Sequence, residues 1–283
     1  MNTLRKNLWR HAYAWALILF TAFPIYVVFV SALDITGSLA TSSFFPSAFG
    51  LDNFQLLFSG DERVPFTAWI KNSMILATLN AVISVAIGAA AAYAFSRLRF
   101  RGRRAGIQFL LLVQVFPSFL ALAAIYVIMS EVYRVFPMFG LGSPGGLLLV
   151  YLGGSMGVNA WLLKGFFDSI PAELDESAKI DGASPAQIYW LIFLPLAAPV
   201  LAVVALLSFI GTFNEFVMAS LFLTDPEART VAVGLQQFVG QQYAQNWGPF
   251  TAGSLIASIP LVIIFLSLQK YIVGGLTAGS VKG

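Results

Sequence analysis

Five of the chain's 13 acidic residues fall within 14 positions. They are Asp168, Glu173, Asp175, Glu176 and Asp181, in the stretch DSIPAELDESAKIDGAS. Clustered carboxylates can do acid–base chemistry, hold a cation, or present charge to a docking partner. The first two lack support here. Cysteine is absent, so there is no thiolate ligand or nucleophile. The one histidine, His11, sits beside Arg10 near the N-terminus, where it reads as an interfacial residue. Asp175 and Glu176 are adjacent and so point to different faces of a helix. Docking is the favoured reading.

The same stretch shows how its carboxylates are held. Pro171 suits the first turn of a helix, where its missing N–H costs nothing. Glu173 follows in that turn, where the helix dipole favours negative charge. Asp175 and Glu176 precede Lys179 by four and three residues, and each can pair with it. Gly182 is placed as the C-terminal stop. Ser184 and Pro185 read as the N-cap and first position of a second helix, running into IYWLIFLP. A three-turn helix is marginal alone in water, so it must dock on a partner or on the rest of the chain.

The surroundings are apolar. The chain is 58% hydrophobic and 10% charged, with a mean hydropathy of +0.82. A soluble domain carries about 25% charge, so the composition implies an all-α membrane protein embedded in lipid. A span needs about 20 mostly apolar residues. Charge-poor runs at 12–33, 72–96, 105–130 and 135–163, with helices near 198–223 and 251–270, predict six transmembrane helices. Twelve of the 16 basic residues then lie on one side and four on the other. Five arginines fall in RLRFRGRR, Arg97 to Arg104. The positive-inside rule places both termini in the cytoplasm, and with them the acidic hairpin. Topology accounts for these cations, and for a pI of 9.2, better than nucleic acid does. Val30–Ala32 resembles a signal-peptide cleavage site, but the apolar run before it is longer than a typical h-region, so it is expected to be a retained first span.

The residues also carry a family resemblance. Glu176-Ser177-Ala178, three residues, Gly182, nine residues, then Ile192-Phe193-Leu194-Pro195 is similar to the EAA loop of the membrane subunits of ATP-binding-cassette importers. Ser177 replaces the first alanine of that pattern. Ala92–Gly102, Tyr151–Gly154, Val231–Phe238 and the tail Gly275–Gly283 extend the resemblance to maltose-type sugar permeases over nearly the whole chain. It implies a type I importer permease fold in a bacterial inner membrane. It divides the chain into a first span and outer loop over 1–67, a permease core over 68–272 containing the loop 168–195, and a tail over 273–283. It implies three kinds of partner: a second, larger permease, a homodimer of cytosolic ATPases, and an extracytoplasmic sugar-binding protein. No cofactor and no catalytic residue is implied. The chain has no Gly-x-x-x-x-Gly-Lys-Ser/Thr loop, so ATP hydrolysis falls to a partner.

Carried onto this sequence, the resemblance makes Glu176 an anionic anchor on the ATPase and Ala178 a point of close approach. Asp181 and Gly182 form the turn, and Ile192, Leu194 and Pro195 seat the following helix. Gln236, Gln237, Phe238, Gln241, Gln242, Tyr243 and Trp247 form an outer loop facing the binding protein, with amides and aromatic faces suited to sugar. The tail is expected between the two ATPase subunits. Glu215, the one acid inside an expected span, is a functional candidate by default. It supports the alternative of a stand-alone secondary transporter or channel with an intramembrane ion site. Asn80, Gln108, Gln114, Asn159 and Asn214 either line a pathway or join helices.

Overall fold

The computed structural model describes residues 2–36, 45–240 and 245–278. The helices are α1 (Asn2–Leu33), α2 (Asp52–Leu57), α3 (Phe66–Arg97), α4 (Arg103–Val115), α5 (Leu122–Val135), α6 (Pro144–Ser169) and α7 (Ala172–Ile180). Then come α8 (Pro185–Ile188), α9 (Leu194–Phe213), α10 (Val217–Phe222), α11 (Val231–Gln236) and α12 (Trp247–Ala278). Among the described residues, five helical stretches are long and apolar enough to cross a membrane: Leu8–Leu33, Phe66–Arg97, Pro144–Ser169, Pro185–Phe213 and Trp247–Tyr271.

The expected third span is not one helix. It divides into α4 and α5 around Phe116, whose backbone is extended, and a 3-10 turn at Ser118–Ala121. Pro117 explains the break: it donates no hydrogen bond, and it disfavours helical backbone at the residue before it. The fourth span runs later than expected, over Pro144–Ser169, with Ser143 as N-cap accepting from Gly146 N–H at 3.0 Å. The fifth span also shifts. It is helical from Pro185 and stops at Phe213, ten residues before the expected end at 223. Tyr189–Phe193 forms a π-helical turn. Its wider ring falls just before Pro195, which cannot close an ordinary helical bond.

The chain divides into two compact units, one formed by Met1–Thr67 with Val233–Ile259, the other by Ala68–Ala232 with Pro260–Gly283. In the first, the end of α1 is fastened by Asp34. Its carboxylate accepts from Thr36 N–H at 2.9 Å, Thr36 Oγ1 at 2.7 Å and Ser47 N–H at 2.8 Å. Asn53 Nδ2 donates to the carbonyls of Ala32 and Asp34. The Thr36 hydroxyl, chief among the donors, holds the Asp34 carboxyl below the usual aspartate range.

In the second unit α3, α6 and α9 share a core. Leu163 and Phe167 of α6 pack with Ala89, Ala92 and Tyr93 of α3 and with Ile188, Phe193 and Ala197. Gly88 permits the approach of α3 to α6: a Cβ there would lie 2.8 Å from Asn159 Cβ. Polar side chains then join the three helices. Asn80 Nδ2 donates to Thr212 Oγ1 at 2.7 Å, and Ser155 Oγ donates to Asn80 Oδ1 at 3.2 Å. Asn159 Nδ2 reaches Ser84 Oγ at 3.0 Å and Ser208 Oγ at 3.2 Å. Asn80 and Asn159 are thus placed as helix joints.

Candidate functional site

The acidic stretch folds as a hairpin of α7 and α8. Gly182 adopts φ +80°. Its N–H donates to Lys179 O at 3.1 Å, and Ala183 N–H donates to Ala178 O at 2.9 Å. That pair of bonds is a Schellman stop, which glycine in the left-handed region provides. A capping box opens α8: Ser184 Oγ accepts from Gln187 N–H, and Gln187 Oε1 accepts from Ser184 N–H at 2.8 Å. Tyr93 of α3 donates to Pro185 O at 3.1 Å and ties the turn to the core.

The carboxylates separate into two sets. Glu173, Glu176 and Asp181 are exposed, with Ser177, half-exposed Leu174 and an Ile180 that is 86% exposed. Asp175 is the opposite case, at 5% exposure. Lys179 pairs with it at 3.6 Å, and Glu176 makes no ion pair among the described residues. Ala178 turns inward and packs on the chain's own core, as do half-buried Ile192 and Leu194, while Pro195 is exposed.

Asp175 is buried because it faces Arg97, the last residue of α3, at 3.8 Å. Arg97 Nη2 also donates to Phe167 O at 2.9 Å and to Ile170 O, and its guanidinium carbon lies 4.9 Å from the Phe193 ring centroid. Beside it, Asp168 accepts from Ser96 Oγ at 2.7 Å and pairs with Lys164. Sequence reasoning placed Arg97 among topology residues and missed this role. Its position directly after the apolar run 72–96, amid other arginines, gave no separate signal.

Glu215 lies outside the continuous span, in a break between α9 and α10. Both oxygens are occupied. Oε1 accepts from Met218 N–H at 2.8 Å, and Oε2 accepts from Ala219 N–H at 3.0 Å and Tyr151 O–H at 2.6 Å. It therefore caps α10 while holding α6. Among the described residues no group of His, Asp and Glu is arranged to hold a metal.

The outer loop is described in part. Gln236 is exposed at the end of α11, and Gln237 Nε2 donates to Arg63 O at 3.2 Å. Phe238 O accepts from Asn246 N–H at 2.7 Å and closes the loop's base. Trp247 opens α12, donates to Gln245 Oε1 at 3.1 Å and meets Phe250 edge-on. Gln241, Gln242 and Tyr243 lie outside the described residues, as does the tail beyond Ala278.

Residues 63–277 match the family model for the binding-protein-dependent transport system inner membrane component. The chain belongs to this family. Among its relatives, the transport component is 38% identical over 295 residues to the maltose/maltodextrin transport system permease protein MalG of Vibrio vulnificus, covering 100% of this chain and 98% of that one. MalG of Escherichia coli K12 is 38% identical over 280 residues, covering 94% of each. A bacterial ABC transporter that imports the acidic polysaccharide alginate shares the fold, with a TM-score of 0.75 at 21% identity over 96% of this chain and 98% of that chain. A second alginate transporter structure, in complex with a pentasaccharide-bound periplasmic protein, gives 0.64 at 18% identity, covering 93% and 96%.

Proposed function

We propose that this permease subunit imports maltose, maltodextrins or a related α-glucoside, and that the α7–α8 hairpin couples it to a cytosolic ATPase. The observation that carries the coupling reading is the hairpin's two-sidedness. Glu176, Ser177, Ile180 and Asp181 are offered outward, while Asp175 and Ala178 are bound inward. Glu176 then anchors on a basic or donor group of the ATPase, and Gly182 lets the docking helix meet the helix that enters the membrane. Both termini lie in the cytoplasm. A second permease completes the pathway, and a sugar-binding protein delivers substrate to the loop Gln236–Trp247. ATP and loaded binding protein favour the outward-open state because they bind it better.

The chain, a second permease, the ATPase pair and the binding protein, reconstituted together, should import labelled maltodextrin only when ATP and binding protein are both present. A panel of sugars in the same vesicles ranks the substrates. Uptake by this chain alone under an ion gradient would show the stand-alone alternative to be correct. Glu215 does not favour that alternative, because its carboxylate is already spent on a helix cap and a tyrosine.

A further inference from the structure

We infer that Arg97 is the positioning residue through which movement of the α7–α8 hairpin reaches the membrane helices. The inference rests on the coupling reading above and names the internal joint that reading requires. Arg97 ends α3 and touches three other elements at once. Its Nη2 holds the carbonyls of Phe167 and Ile170 at the close of α6. Its plane lies over Phe193 in the π-helical turn that leads into α9. Its Nε faces Asp175 of α7.

The two side chains of this ion pair are 12% and 7% exposed, whereas every other ion pair among the described residues has a partner at least 33% exposed. Yet Arg97 Nε and Asp175 Oδ1 make no hydrogen bond. They stand 3.8 Å apart, about 1 Å beyond a charge-assisted bond. A buried donor and acceptor left facing each other carry an unrecovered desolvation cost. This contact therefore gains more than its neighbours from a small inward movement of α7. A partner pressing on Glu176 and Ile180 would deliver that movement. Arg97 then passes it to α3, α6 and α9 together, because the guanidinium fork is rigid and has a contact on each.

The test uses the full complex in proteoliposomes and reads ATP hydrolysed per sugar imported. Arg97→Met removes the charge and both hydrogen bonds while leaving an apolar side chain of similar length. Arg97→Lys restores the charge without the fork. Asp175→Asn keeps the shape of the aspartate and removes its charge, and it reads the same quantity if Arg97→Met fails to assemble. The expected result is complex recovered with all its subunits and an ATP cost per sugar raised about tenfold for Asp175→Asn, the factor that ~1.4 kcal/mol corresponds to. Arg97→Lys should fall between wild type and Arg97→Met. If uptake and hydrolysis decline in parallel, in proportion to the complex recovered, Arg97 only holds the fold and the inference is overturned. A wild-type complex without ATP-dependent uptake overturns the coupling reading itself, a distinct result.

Discussion

Glu215 tests whether a carboxylate at a helix break acts as an ion site or only as an acceptor. A proton or ion site needs an ionisable group, whereas a helix cap and a tyrosine partner need only acceptor oxygens. Gln offers one acceptor oxygen of nearly the same reach. Glu215→Gln should therefore keep transport within about threefold of wild type, the effect of one interhelical bond worth ~0.6 kcal/mol. Glu215→Ala should lower thermal stability in detergent by about 1 kcal/mol or more, since the cap is lost and Tyr151 O–H is left unpaired. Loss of uptake by the Gln variant in a stably folded complex would restore the ion-site reading. Asp34 gives a pH-dependent counterpart. Its folded pKa is depressed, so the stability it contributes is full above the ordinary aspartate value and is lost as pH falls through the lower folded one. Proteolysis of the segment joining α1 to α2 should accelerate in acid for wild type. Asp34→Asn should be cleaved faster at neutral pH and show a flatter response to acid. At this scale the sequence was only partly legible. Asp175 announced itself by its spacing from Lys179 and Gly182 by its place at the helix stop, whereas the pairing of Glu176 with Lys179 that spacing also allowed does not form. Arg97 and Tyr151 did not announce themselves, because their partners lie 78 and 64 residues away, and no local pattern marks a distant contact.

Helix ends were more legible than single contacts, because caps are local chemistry. Ser184, Pro185 and Gly182 sit where their side-chain and backbone preferences direct, and Gln187 completes a box readable as Ser-x-x-Gln. Pro117 was equally visible, but the apolar run around it masked the break. The stop at Phe213 had no proline or glycine to mark it. It depends on Asn214 closing onto Ile210 O and on Glu215 starting a new helix. The turn of the hairpin gives the sharpest prediction for an element. Nothing lies within 4 Å of a Cβ built on Gly182, so the constraint there is backbone conformation and not space. Gly182→Ala should destabilise the α7–α8 turn by about 1–2 kcal/mol, the cost of left-handed backbone for an ordinary residue. Gly182→Asn should cost less, because asparagine tolerates that region. Amide exchange across Ala172–Gln187 measures the difference. ATP-driven uptake should follow the same order: wild type, Asn, Ala. Equal exchange in all three would mean that the turn does not depend on glycine.

A chain whose surface is this apolar cannot be complete in water. In the Leu8–Leu33 span only 6% of the most apolar window is buried, and Leu19, Phe20 and Ile25 stand open. Lipid or a second membrane subunit must cover them. The polar exceptions then predict which side is which. Five arginines fall between Arg97 and Arg104, while the loop before α12 is rich in amides and aromatic rings. If that asymmetry sets the topology, Ile180 and Gln245 lie on opposite faces of the membrane. The absence of native cysteine makes the test direct, since a single introduced thiol needs no altered background. In spheroplasts an impermeant maleimide should label Gln245→Cys at once and Ile180→Cys only after permeabilisation. In inside-out vesicles Ile180→Cys should react freely in the bare permease and become protected when the ATPase is added, because the exposed apolar tip is part of the docked face. The reverse pattern in spheroplasts would put the hairpin beyond the reach of any cytosolic motor. Correct sidedness without protection would keep the topology and move the docking contact elsewhere on the cytoplasmic surface.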